Sequence, residues 1–212
     1  VVIEPITATY NKTANNYVAK FTPTKSGDYN VTADYTEGTI TNATFTVYRT
    51  LTDLKDLIDS STTGKVTLDG DYTYNADYDS AIKTAGGIII SSDLSIDGKG
   101  YTICGNDSTR LFNVIDGTLT LNNVTICDGN ASEGAGVYVN AGAALVASDV
   151  IFEDNVAVYD GGAIYAIGAN VDLTDCTLDA NDVTEIKTND DTGGAAIFSN
   201  NTKLTIKNSK IR

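Results

Sequence analysis

Histidine, methionine and tryptophan are absent from the 212 residues, and proline occurs only twice. Without histidine, His-containing zinc sites and Ser-His-Asp or Cys-His catalysis are excluded outright. Cations are scarce as well: 14 Lys and Arg stand against 28 Asp and Glu, a formal charge of −14. Binding to a phosphate backbone or an anionic membrane surface needs clustered cations, so neither nucleic acid nor membrane contact is expected of this segment. No apolar run reaches the roughly 18 residues of a membrane span. Neither a signal peptide nor an anchor is recognisable, and the simplest expectation is a segment of a longer polypeptide. The three cysteines lack metal-ligand spacing, because Cys104 and Cys127 each close the string "TIC" whereas Cys176 sits in "TDCTL".

What is present falls into two unlike parts. Residues 1–48 alternate apolar and polar positions, as in Tyr29, Val31, Ala33 and Tyr35, and carry polar turns such as "TKSGD". They predict short antiparallel strands of a partial immunoglobulin-like β-sandwich. Residues 49–63 change period: Leu51, Leu54, Leu57 and Ile58 share one helical stripe, with Thr50 or Thr52 placed to cap it. One capping helix is predicted there, covering an otherwise open sheet edge.

From residue 64 to 212 the chain repeats itself. The run Leu119, Leu121, Val124, Ile126 recurs at Leu145, Ala147, Val150, Phe152, then at Val171, Leu173, Cys176, Leu178, each time 26 residues on. A further copy, Leu204, Ile206, Ser209, Ile211, lies 33 residues beyond, the loop "TEIKTNDD" making the difference. A fainter one, Leu94, Ile96, Tyr101, Ile103, precedes them, and Val66 with Leu68 opens the series. Apolar residues two apart face one side of a strand, and the step of three marks a corner. A glycine-led third strand follows, as in Gly161-Gly162 and Gly193-Gly194, so Phe112, Val137, Ile164 and Ile197 also point inward. Repeats of this length bury their faces against neighbouring units, and two strands, a corner and a third strand make one turn of a parallel β-helix. The polar corner residues Asn123, Asp149, Asp175 and Asn208 fall in register, where short side chains can satisfy corner backbone groups.

Units of the form "GGAIY…L-T…F…N" resemble the polymorphic outer-membrane-protein type of right-handed β-helix repeat. The longer string "LTDLKDLIDSSTTGKVTLDGDYTYN … DLSIDGKGYTICG … RLFNV … GTLTLNNVTI" resembles the adhesin-like surface proteins of methanogenic archaea over roughly residues 50–212. "GAGVY" and "GGAAIF" depart from the ideal motif. The resemblance implies an all-β fold with a right-handed solenoid and an extracellular, cell-surface or wall-associated attachment role. Glycans or proteins of other cells, or self-association, would supply the partners, and no cofactor is expected.

Parallel β-helices also carry polysaccharide lyases and hydrolases, so carboxylate pairs need weighing. Asp128 with Asp154, and Asp149 with Asp175, fall on adjacent turns, but a β-helix brings like residues together without catalysis. A lyase would also need basic groups that the repeats hardly supply. The acid-rich run holding Asp69, Asp71, Asn75, Asp77 and Asp79 offers oxygen ligands without a calcium-loop order. Cys104 and Cys127 lie one turn apart at matching positions, within reach of a disulfide. Cys176 aligns with Val124 and Val150 and reads as a core hydrophobe. N-x-S/T triplets at Asn11, Asn30, Asn42, Asn106, Asn123, Asn130 and Asn200 suit a glycosylated surface. Finally, parity places Tyr138, Tyr165 and Phe198 outside when Val137, Ile164 and Ile197 face in. The expected result is an aromatic ladder: either the rings stack on one another and on the Thr- and Lys-bearing loops, or, flanked by Asn140, Asp160 and Asn200, they offer flat faces suited to sugar rings. A carbohydrate-active enzyme and a purely structural spacer are the rival expectations.

Overall fold

The computed structural model describes residues 49–185 and 194–212 throughout, and within residues 1–48 the backbone of four strands. The chain divides into two compact units, Val1–Arg49 and Thr50–Arg212. In the first, Thr9–Asn11 pairs antiparallel with Asn16–Val18, and Gly27–Thr32 with Asn42–Val47. An immunoglobulin-like sandwich in residues 1–48 would rest on segments outside the described residues, as would the side chains of Asn11, Asn30 and Asn42.

The second unit is a parallel β-solenoid. One turn runs Phe112–Val114, Thr118–Asn122, Thr125–Cys127 and Asn130–Glu133, with a bend between each pair of strands. Turns stack with strand directly above strand, giving parallel sheets of five, six and six strands. A three-stranded fourth sheet, Asn130–Glu133, Val156–Asp160 and Asp182–Val183, was not legible in the repeat because its residues alternate poorly.

The core consists of vertical columns. Leu94, Leu119, Leu145, Val171 and Leu204 occupy one register line, and Ile96, Leu121, Ala147, Leu173 and Ile206 the next inward line. Leu119, Leu145 and Val171 are fully buried, while Leu204 in the last turn is partly covered. On the facing sheets Ile103, Ile126, Phe152 and Leu178 form one column and Ile88, Phe112, Val137 and Ile164 another, all buried. Each such side chain contributes roughly 1.5–3 kcal/mol of burial, distributed along the whole stack.

Helix α1, Leu51–Asp59, places Leu51 and Leu54 in the same core cluster as Val66 and Leu68. Thr50 caps it through a reciprocal box: Thr50 Oγ1 accepts from Asp53 N, and Asp53 Oδ2 accepts from Thr50 N at 2.7 Å. A second helix, α2 (Ser80–Ala85), corrects the expectation of a single helix. With six residues and one buried side chain, Ile82, it has too little periodicity to read, and Gly86 ends it at φ 76°.

Two details of the repeat differ from the pattern. Tyr101 does not face in and is 37% exposed. Between Ile96 and Ile103 the corner runs 103 − 96 = 7 positions, against 126 − 121 = 5 in the next turn. Gly98 sits at that corner, and a Cβ on it would lie 2.4 Å from the Cβ of Val124, which already fills the space. The Asn/Asp corner column also has another cause. Asn123, Asp149, Asp175 and Asn208 all adopt positive φ, 47–56°, as do Asp128 and Asp154 at the following bend. Asn and Asp tolerate the left-handed region far better than branched residues do, so backbone conformation selects them.

Candidate functional site

The sheet built from Ile88–Ile90, Phe112–Val114, Val137–Val139, Ile164–Ile167 and Ile197–Asn200 turns one face to the core and one outward. Strict register places Ile89, Asn113, Tyr138, Tyr165 and Phe198 in one outer column. The three rings form a continuous ladder, with centroids 4.8 Å apart at both steps. Tyr165 and Phe198 are nearly parallel, at 10°, and Tyr138 tilts by 36°. A plane-to-plane gap of about 3.5 Å at that centroid distance leaves the rings offset like overlapping tiles. Their inner faces therefore cover one another, and each half-buried ring shows an edge and part of a face. Stacking thus takes up most of each face, contributing ~0.5–1.5 kcal/mol per pair.

Around the ladder the surface is apolar with inset polar groups. Ile89 and Ile167 are more than one-third exposed and Ile115 nearly half. Asn140 donates to Asn113 Oδ1 at 2.8 Å and to Val114 O at 3.0 Å, which fixes a small amide pair beside the rings. Asn200 is exposed, but Asp160 is buried and does not present the orienting carboxylate expected of it. Burial chiefly, then Tyr138, Glu133 and Asp160, raises the Tyr165 phenol above its ordinary range. Tyr165 therefore stays a neutral hydrogen-bonding group at physiological pH.

Arg110 was not singled out by the sequence, yet it ends the ladder. Its guanidinium lies 4.9 Å from the centre of the Tyr138 ring, a cation–π arrangement. Nε donates to Gly134 O, Nη1 to Gly86 O and Nη2 to Glu133 O. Burial lowers its pKa, opposed by Glu133 and Tyr138. The only signal in the chain was a lone cation in a cation-poor repeat.

The remaining candidates are dispersed. Within the acid-rich run, Asp79 is fully buried and accepts from the backbone N–H groups of Leu51 (3.1 Å), Thr52 (2.8 Å) and Asn75 (2.7 Å). It thus caps α1 from a distance. Asp69 accepts from the Tyr72 hydroxyl, Asp71 from Thr102 N, and Asn75 Oδ1 from Asp77 N. The side-chain oxygens of Asp69, Asp71, Asn75 and Asp79 serve separate local bonds, and among the described residues Asp69, Asp71, Asp77 and Asp79 form no cluster of three carboxylates that could hold an ion.

Cys104 and Cys127 are joined by a disulfide between adjacent turns. Their sulfurs and an Asp128 oxygen lie within 4.8 Å of one another, but bonded sulfurs offer no thiolate to a metal. Burial, then Asp107 and Asp154, raises the Asp128 carboxyl. Asp128 with Asp154, and Asp149 with Asp175, stand at bends whose backbone geometry already explains them. Cys176 is a buried free thiol whose pKa burial pushes up. Asn106, Asn123, Asn130 and Asn200 are exposed.

One internal feature went unread in the sequence although two successive repeats end on it. Asn155 and Asn181 form a buried ladder under the second bend. Asn155 Oδ1 accepts from Gly129 N, and its amide donates to Ile126 O, Glu153 O and Asn181 Oδ1. Asn181 repeats the pattern on Phe152 O and Asp179 O one turn up.

Comparison of the chain with family models, with curated proteins and with solved structures finds no match.

Proposed function

We propose that this chain is a non-enzymatic attachment segment of a cell-surface or wall-associated protein, an adhesin or stalk, which binds glycans or proteins of other cells. The observation that carries this reading is the outward ladder of Tyr138, Tyr165 and Phe198, held on a rigid stack of parallel strands and bordered by Ile89, Ile115 and Ile167. An exposed apolar strip with inset amides is a poor solvation surface and a good recognition surface. Overlapped ring edges suit the C–H face of a sugar, while the Tyr hydroxyls and the Asn113–Asn140 pair supply orientation. An extracellular setting accords with the Cys104–Cys127 disulfide and with exposed acceptor triplets at Asn106, Asn123, Asn130 and Asn200.

The test is a glycan array screened with wild type and with the double variant Tyr138→Ala/Tyr165→Ala. Wild type should bind a defined subset, and the folded double variant should lose it. Equal binding by both proteins rules this face out. A wild type that binds no glycan and no cell supports the spacer reading, in which the ladder is only stacked cladding. Release of reducing ends from pectin, alginate or plant glucans, abolished by Asp128→Asn or Asp154→Asn, would instead establish a carbohydrate-active enzyme.

A further inference from the structure

Next to the ladder, the C-terminal end of α2 and the loop before Phe112–Val114 border a groove of about 420 Å³. Lys83 and Arg110 line it together with the side chains of Ser108, Asn130 and Ser132, and Asp107 stands on the same wall. Two cations at one groove are conspicuous in a chain of formal charge −14. Arg110 connects the groove to the ladder, since its guanidinium also covers Tyr138.

The charge on Arg110 is fixed but incompletely answered. A guanidinium carries five N–H groups, and three of them go to the carbonyls of Gly86, Gly134 and Glu133. One N–H on each terminal nitrogen is left, arranged as a planar fork. Carbonyl oxygens supply dipoles rather than negative charge. Among the described residues, neither Lys83 nor Arg110 takes part in an ion pair. The Glu133 carboxylate acts on it only through space, and burial depresses the Arg110 pKa despite it. A partly desolvated cation with two free donors, beside an exposed Lys83, favours a small anion that accepts from both.

We propose that this groove binds the anionic group of an acidic sugar, a carboxylate or a sulfate, through Lys83 and Arg110, while the same glycan lies along Tyr138 and Tyr165. The inference rests on the ladder being a glycan-binding face, and it names the class of glycan. Long polyanions are disfavoured, because the surrounding surface is acidic and only two cations answer them. A short oligosaccharide with one charge at this position meets the cations and escapes most of the repulsion.

Calorimetric titration of the folded chain with three probes of equal length tests the assignment: a neutral galactose oligomer, the same oligomer ending in a single galacturonate, and the same oligomer carrying a single sulfate. An acidic probe should bind about tenfold or more tightly than the neutral one, with a margin that shrinks as salt is added. The exposed substitution Lys83→Glu should erase that margin and leave neutral binding unchanged. Arg110→Lys keeps the charge, loses the fork and should reduce the margin as well. Preference for carboxylate or for sulfate identifies the source, and either supports the groove. Equal binding of acidic and neutral probes, or a margin untouched in Lys83→Glu, overturns the groove assignment. In that case the Tyr138→Ala/Tyr165→Ala variant still decides separately whether the ladder binds sugar. No binding to any of the three probes also overturns the groove, with the array result then standing alone for the ladder.

Discussion

Replacing Asn155 by Ala should cost more than the loss of any single exposed side chain, and the cost follows from its bonds. The substitution leaves Gly129 N without its acceptor and Ile126 O and Glu153 O without the amide donor. Asn181 Oδ1 loses one donor, but keeps Asn155 N at 3.2 Å. A buried N–H left unpaired costs about 1–3 kcal/mol, and the carbonyls, each retaining ladder bonds, add less. A void the size of an amide contributes further, for a total of about 3–4 kcal/mol. In a chain of this length the melting temperature should fall by roughly 6–16 °C. Urea denaturation monitored by circular dichroism would show the midpoint falling without a change in slope. Asn155→Asp supplies a second readout: it keeps the acceptor for Gly129 N, loses all three donations while ionised, and should recover part of the stability when acid returns a proton, because a carboxylic acid has one O–H to donate. A loss below about 1 kcal/mol for Asn155→Ala would refute the claim that this ladder holds the second bend.

Other expected outcomes follow from the same geometry. Gly162→Ala would set a Cβ 2.5–2.7 Å from the carbonyl oxygens of Asn155, Asp182 and Ala195, and should unfold the upper turns. Gly142→Ala meets nothing within 4 Å and should cost only the strain of φ 87°, about 1 kcal/mol, in the same melt. Reducing the Cys104–Cys127 bond, which spans 23 positions, should lower stability by about 2–4 kcal/mol, read as a shift in urea midpoint with and without dithiothreitol. Because the Asp128 carboxyl is raised, the folded state holds its proton more tightly than the unfolded chain does. Its stabilising contribution is therefore full below the ordinary carboxylate range and lost as pH rises through the folded value. Asp128→Asn suits φ 50° and should stabilise the chain at neutral pH while flattening that part of the pH–stability curve.

How much of this was legible depended on the kind of force involved. Hydrophobic columns repeat at fixed offsets because each turn must bury the same face, so Leu119, Leu145, Val171 and Leu204 could be aligned from spacing alone. Parity then carried Tyr138, Tyr165 and Phe198 outward, and their register is as regular as the core's. Bends were harder, because a corner residue is chosen by its backbone angle and Tyr101 follows a corner two positions longer. Polar partners were hardest of all. Asp79 reaches α1 from 27 and 28 positions away, and Asn155 reaches Ile126 from 29, distances that no local pattern encodes. Arg110 was invisible for the same reason: its three acceptors come from separate segments.

The central claim is that the outer aromatic ladder is the recognition face. It is tested most directly by ring-resonance mapping on the intact chain. Twelve tyrosines and five phenylalanines give a tractable set of aromatic signals. On titration with an oligosaccharide that binds, shifts should concentrate in Tyr138, Tyr165 and Phe198, with the Arg110 side chain following. Shifts that spare those rings and fall instead on Tyr72, Tyr101 or the bends near Asp128 and Asp154 would contradict the account.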